Sequence, residues 1–99
     1  MIKIFNDKCY ELLKKVPHGK VVTYKEIARK IGSFGYRAVG NAMNKNSDLK
    51  NIHCYKVVRS DGKVGGYAKG TKKKILLLKK DGIIIVNGRI DLKKFGFKF

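Results

Sequence analysis

The first sixteen residues place apolar side chains at Ile4, Phe5, Cys9, Leu12, Leu13 and Val16, in steps of three and four that lay one stripe along a helix over residues 2–16. Asp7 and Glu11 fall early and Lys14 and Lys15 late, the order a helix dipole favours, and Pro17-His18-Gly19 stops the helix. His18 reads as a solvated loop residue without a role. Val21-Val22 is a short extended piece. Thr23 then stands at an N-cap with Glu26 three residues on, a capping box, and opens a helix with Tyr24, Ile27, Ala28 and Ile31 inward that ends at Gly32. Beyond Gly32-Ser33-Phe34-Gly35 a second helix over 36–44 turns Ala38, Val39, Ala42 and Met43 inward. Two short helices joined by a tight glycine-containing turn describe a helix-turn-helix, whose second member enters a DNA groove. A helical hairpin packed only for stability has the same spacing.

Further on, Thr71 to Lys80 reads as a helix with Ile75, Leu76 and Leu78 inward. Its outer face carries Lys72, Lys73, Lys74, Lys79 and Lys80, and Asp81-Gly82 caps it. Ile83–Val86 and Arg89–Leu92 flank Asn87-Gly88, the strongest short hairpin signal. The alternating Phe95, Phe97 and Phe99 fit a final strand face or a docking patch, with core packing preferred. The pattern as a whole predicts a mainly α fold with a small β component: a winged helix-turn-helix-like single domain, residues 1–99, with a short C-terminal hairpin.

Composition narrows the partner. Ninety-nine residues, 43% of them apolar, make one domain with a modest core. The 24 lysines and arginines against 7 acids leave a formal charge of +17, which calls for a polyanionic partner, nucleic acid before an anionic membrane. A lysine-rich thermophile surface would raise glutamate as well, and here the acids are few. No apolar run approaches the roughly 18 to 20 residues needed to cross a bilayer. The amino terminus, with Lys3, Asn6, Asp7 and Lys8, is not a signal peptide. A cytoplasmic protein, nucleoid-associated when on DNA, is expected, with no membrane partner.

The candidate chemistry sits in Asn51-Ile52-His53-Cys54-Tyr55-Lys56-Val57-Val58-Arg59, where a cysteine lies at an element boundary among cations. Neighbouring positive charge favours the thiolate, which is the nucleophile. The alternative is a small buried hydrophobe, the commonest fate of a free cysteine. Cys9 and Cys54, with His18 and His53, are too scattered for a metal site, and no cofactor is expected.

Thr23-Tyr24-Lys25-Glu26-Ile27-Ala28, Arg37-Ala38-Val39-Gly40, Asn46, Cys54-Tyr55-Lys56-Val57-Val58, Gly65-Gly66-Tyr67 and Leu77-Leu78-Lys79-Lys80-Asp81-Gly82 occur in an order and at intervals that mark a family. From about Phe5 to Asp91 the chain resembles the carboxy-terminal, DNA-binding and active-site domain of the O6-alkylguanine-DNA alkyltransferases. The resemblance implies a monomer that binds duplex DNA in the minor groove, flips an O6-alkylguanine out of the stack and moves the alkyl group to Cys54 in a single turnover. It implies further that Arg37 fills the gap left by the base and that Tyr24 presses on the phosphate 3′ to the target. Ala38, Gly40, Asn41 and Lys56 would meet DNA, while Val57, Tyr67 and Ala68 would meet the base and Asn46 would be the structural hinge. The amino-terminal domain of most members is not recognised, so binding and chemistry are expected to be self-contained.

The chain departs from the family where the proton is handled. The usual Pro-Cys-His-Arg-Val reads His53-Cys54-Tyr55-Lys56-Val57 here, and the family's glutamate before a glycine is Asp81. A tyrosine, with a reference pKa near 10, is a poorer base than an imidazole near 6.5. The preferred reading keeps the relay, with Tyr55 ordering a water or accepting the proton in the domain's positive field and Asp81 behind it. In a second reading His53 substitutes as base. In a third, transfer is slow or absent and the domain binds lesions as the alkyltransferase-like sensors do, although those sensors typically lack the cysteine that Cys54 retains. A nonspecific basic nucleic-acid protein is the remaining alternative.

Overall fold

A ladder of two residues per strand divides the chain. β1 (Val22–Thr23) pairs in parallel with β2 (Val57–Val58), Val22 opposite Val57 and Thr23 opposite Val58. Successive strand residues face opposite sides, so Val22 and Val57 point into one core while Val21 and Val58 point into a second. All four are wholly buried. The structure, a computed structural model, describes residues 2–32 and 35–99, with side chains from Ile4 onward. The turn residues Ser33 and Phe34 lie outside the described residues.

The first core is helical. α1 (Ile2–Lys14) buries Cys9 and Leu13, and Val16 follows them inward from a tight turn, its amide bonded to the Leu13 carbonyl at 3.1 Å. The helix thus ends two residues before the expected Val16. Ile4 is 58% exposed against expectation, because it shares its side of α1 with Lys8 and Glu11 rather than with Cys9 and Leu13. α2 (Tyr24–Ile31) starts where predicted, the Glu26 amide donating to Thr23 Oγ1 at 3.0 Å, and stops at Gly32, whose φ of 83° is the left-handed cap. The capping box is only half made: the Glu26 carboxylate takes Arg29 Nη2 at 2.7 Å and the Phe99 amide at 3.0 Å. α3 (Tyr36–Asn44) buries Val39, Ala42 and Met43, with Ala38 only partly covered. The Tyr10 hydroxyl donates to the Ala42 carbonyl at 2.6 Å and pins α1 to α3.

The second core gathers Val21, Val58, Val64, Leu78, Ile83, Ile90 and Phe95. α4 (Thr71–Lys80) turns Lys74 and Leu78 inward, which corrects the expected register. Ile75 is half-buried, Leu76 is 49% exposed, and Lys74, expected on the outer face, has no exposed surface. Four consecutive apolar residues cannot share one helix face. β3 (Ile85–Val86) and β4 (Arg89–Ile90) form the hairpin, shorter than predicted, with Asn87 and Gly88 at φ 53° and 74° as its two-residue turn requires. α5 (Leu92–Phe95) is a single turn capped by Asp91. That turn breaks the phenylalanine alternation: Phe95 enters the second core, while Phe97 and Phe99 meet edge to face at 5.4 Å against the first. The fold is mainly helical, with a helix-turn-helix, two small sheets and a C-terminal hairpin.

Candidate active site

The cysteine is presented by a tied loop. Asn46, 8% exposed, donates from Nδ2 to the Ile52 carbonyl at 2.8 Å and accepts the Asp48 amide on Oδ1 at 2.9 Å, closing residues 46–52 on one side chain. Cys54 opens a 3₁₀ turn, Cys54–Lys56, that runs into β2. Cys54, 4% exposed as a residue, belongs to the first core with Val39, Ala42 and Met43 of α3. Tyr24 and Tyr67, both half-buried, pack on the same core. Burial pushes the thiol up, while a hydrogen bond from Asn46 and the charge of Lys74 pull it down, leaving it above the ordinary cysteine value. The Tyr24 and Tyr67 hydroxyls are raised first by burial and then by the negative charge of Cys54.

Lys74 is the group the sequence did not single out. Its Nζ donates to the Val57 carbonyl at 2.6 Å and to the Gly66 carbonyl at 2.9 Å, and stands 5.8 Å from the centre of the Tyr24 ring. Burial brings the ammonium down to about 8, with the Cys54 charge acting the other way. Gly65 closes this loop at φ 77°, a left-handed conformation that favours glycine, and a side chain there would stand at ordinary contact distance from Lys74 Nζ (3.6 Å) and the Tyr24 ring (3.7 Å).

The expected relay positions are arranged differently. Asp81, 3% exposed, accepts the Gly19 amide on Oδ1 at 3.0 Å, and its Oδ2 lies 3.0 Å from Lys56 Nζ. Lys56 Nζ also donates to the Pro17 carbonyl at 2.8 Å. His18 Nδ1 pairs with Asp81 Oδ1, so this histidine, read as a free loop residue, has a buried partner. Burial raises the Asp81 carboxyl, but Lys56, the Gly19 amide and His18 outweigh it and hold it below the usual carboxylate range.

Tyr55 is pushed up to about 12 by burial, by the charge of Asp81 and by a hydrogen bond to Asp81. The domain's positive field therefore does not favour the Tyr55 phenolate, because burial and the Asp81 carboxylate both act against it. Lys56, expected to meet DNA, is 4% exposed here, with its ammonium turned inward to Pro17 and Asp81. His53, the alternative base, is exposed and shares a hydrogen bond with the Lys50 carbonyl at 3.0 Å.

On α3, Arg37 and Asn41 are exposed one turn apart, and Ala38 and Gly40 are half-covered. Val57 is wholly buried and its carbonyl already serves Lys74. Tyr67 is half-buried and Ala68 exposed. A cavity of about 1090 Å³ lies between α2, α5 and the C-terminal residues, and one of about 290 Å³ beside Asp81, Tyr55, His18 and His53. Cys54 lines neither. Among the described residues no three His, Cys, Asp or Glu side chains cluster as a metal site would need, and no helix is long and apolar enough to cross a membrane.

A helix-turn-helix that shares one core with a tied cysteine turn defines the class: a DNA-binding domain. The chain belongs to the family described as 6-O-methylguanine DNA methyltransferase, DNA binding domain, whose model matches residues 4–83. It is 48% identical to a bifunctional methyltransferase/endonuclease of Picrophilus torridus over 89% of this chain and 30% of that protein. It is 42% identical to a methylated-DNA–protein-cysteine methyltransferase of Saccharolobus solfataricus over 82% of this chain and 52% of the relative. The chain thus spans about half or less of these relatives. Among solved structures, S. pombe Atl1 in complex with damaged DNA containing O6-carboxymethylguanine superimposes with a TM-score of 0.88 at 26% identity, over 98% of this chain and 97% of that one.

Proposed function

We propose that this domain repairs DNA by moving the alkyl group of an O6-alkylguanine to Cys54, once per molecule. The observation that carries the reading is the thiol held in one core with α3, the second helix of the helix-turn-helix. A base extruded beside that helix arrives next to the sulfur. The similarity to methylated-DNA–protein-cysteine methyltransferases supports the same chemistry.

In this reading the +17 domain docks as a monomer on duplex DNA. α3 enters the minor groove, with Ala38, Gly40 and Asn41 against the backbone and Arg37 in the gap left by the flipped base. Extrusion costs a few kcal/mol of unstacking, and an inserted planar guanidinium offsets part of it. Tyr24 bears on the neighbouring phosphate, Asn46 holds the loop, and Val57, Tyr67 and Ala68 frame the guanine. Because the thiol is almost covered, the base displaces part of the Tyr24 and Tyr67 cover as it enters. A non-catalytic lesion reader is the alternative outcome.

Intact mass spectrometry after incubation with an oligonucleotide bearing O6-methylguanine decides between them. Transfer adds about 14 Da, the mass of one CH₂, on the Cys54 peptide. Retention of the unmodified mass with the lesion still bound would leave only the lesion reader.

A further inference from the structure

We propose that the outward face of α4, centred on Leu76, is a docking surface for an acidic segment of a partner protein that carries an apolar side chain among its carboxylates. This goes beyond alkyl transfer and does not depend on it.

α4 sinks Lys74 and Leu78 into the second core. At about 3.6 residues per turn, the position that points directly away from that buried pair is Leu76. Its side chain is 49% exposed. Three and four residues to either side stand Lys72, Lys73, Lys79 and Lys80, all exposed, so four ammoniums surround one leucine. A helix face that meets only water carries polar residues at its centre, whereas this one keeps apolar surface there. Past the turn that ends α4, Ile84 and Val86 are 56% and 62% exposed. They alternate with Ile85, which packs on the second core, and so share the outer face of β3 and the residue before it.

The charge on this part of the chain has one sign. Between Asp61 and Asp91 the sole acid is Asp81, which is buried and held by Lys56 and His18. Among the described residues none of the four surface lysines is in an ion pair. The face therefore asks for carboxylates around an apolar contact, the pattern of an interface with a dry centre and a polar rim.

Other occupants match only half of that pattern. A DNA backbone would meet the ammoniums but has nothing to cover the leucine. In addition, α3 packs in the first core and α4 in the second, on opposite sides of the β1–β2 ladder. A second copy of the chain brings the same +17 charge and the same lysines, which repel. An anionic membrane takes up a broad apolar helix face, and here a single leucine stands between charged turns.

The test is fluorescence anisotropy on the full chain with a labelled peptide of about twelve residues, glutamates with leucine at every third or fourth position. An all-glutamate peptide of the same length is the comparison. The leucine-bearing peptide is expected to bind about tenfold more tightly, and Leu76→Ser is expected to remove that preference. Lys72→Glu with Lys80→Glu should weaken both peptides, and Ile4→Ser, at an exposed apolar residue of α1, should change neither. Leu76→Lys takes the place of Leu76→Ser should serine unwind the helix. Equal binding of the two peptides, or a preference that survives the loss of Leu76, overturns the proposal. A loss of affinity for undamaged duplex or for phosphatidylglycerol vesicles in Leu76→Ser, with peptide binding unchanged, also overturns it by giving the face to DNA or to lipid. Absence of methyl transfer in the wild type would count against the repair reading alone.

Discussion

Asp81 and Lys56 form an ion pair at 3.0 Å with only 3% and 5% of their side chains exposed. The pair joins the C-cap of α4 to the turn before β2, and through Pro17 and Gly19 it also holds the turn after α1. Three chain segments therefore meet on two charges.

Removing one partner leaves the other buried and unpaired. Lys56→Met is expected to cost about 3–5 kcal/mol, read as a lower urea midpoint. The pH dependence has a definite sign. The folded Asp81 carboxyl is depressed, so its contribution is present above the unfolded value near 3.9 and is lost as pH falls through the folded value. Asp81→Asn should flatten that acid limb of the stability curve while lowering the neutral plateau. An unaltered acid limb would mean the pair is not what holds the turn.

Gly40 sits inside α3, and a side chain added there meets nothing within 4 Å. Internal packing does not ask for a glycine, and Gly40→Ala should stabilise the helix by roughly 0.5–1 kcal/mol. If α3 lies against a nucleic-acid backbone, the same change weakens duplex binding in fluorescence anisotropy. A variant both more stable and equally tight would place the interface elsewhere.

Arg37 is exposed at the start of α3. Arg37→Ala should change stability by no more than about 0.5 kcal/mol. Single-turnover transfer from an O6-methylguanine duplex should slow far more than binding to undamaged duplex weakens. Equal losses in both would describe a phosphate contact rather than a gap-filling side chain. Wild-type binding should weaken steeply with salt, log K falling by about 0.9 per phosphate neutralised per log unit.

Cys54→Ala separates chemistry from recognition. It should abolish the gain in mass yet keep preference for the lesion duplex in a competition assay. The small cavity left in the first core should cost on the order of 1 kcal/mol. A mass gain that persists would assign the nucleophile to another side chain.

The sequence by itself determined what local chemistry encodes. The Thr23 cap, the Gly32 stop, the Asn87-Gly88 turn and the four-residue step from Cys9 to Leu13 each act within one or two turns of chain, and all appear where expected. The order of Arg37, Asn46, Cys54, Tyr67 and Asp81 likewise marked the family. Only the tertiary structure decided which charges are buried. Lys74 ends a run of three lysines and precedes four consecutive apolar residues, which leaves its helix face ambiguous, and its acceptors lie 17 and 8 residues away. Asp81 meets Gly19 across 62 residues and Lys56 meets Pro17 across 39. Helix periodicity and caps are short-range properties, whereas the environment of an ammonium or a carboxylate is set by whichever distant segments close over it.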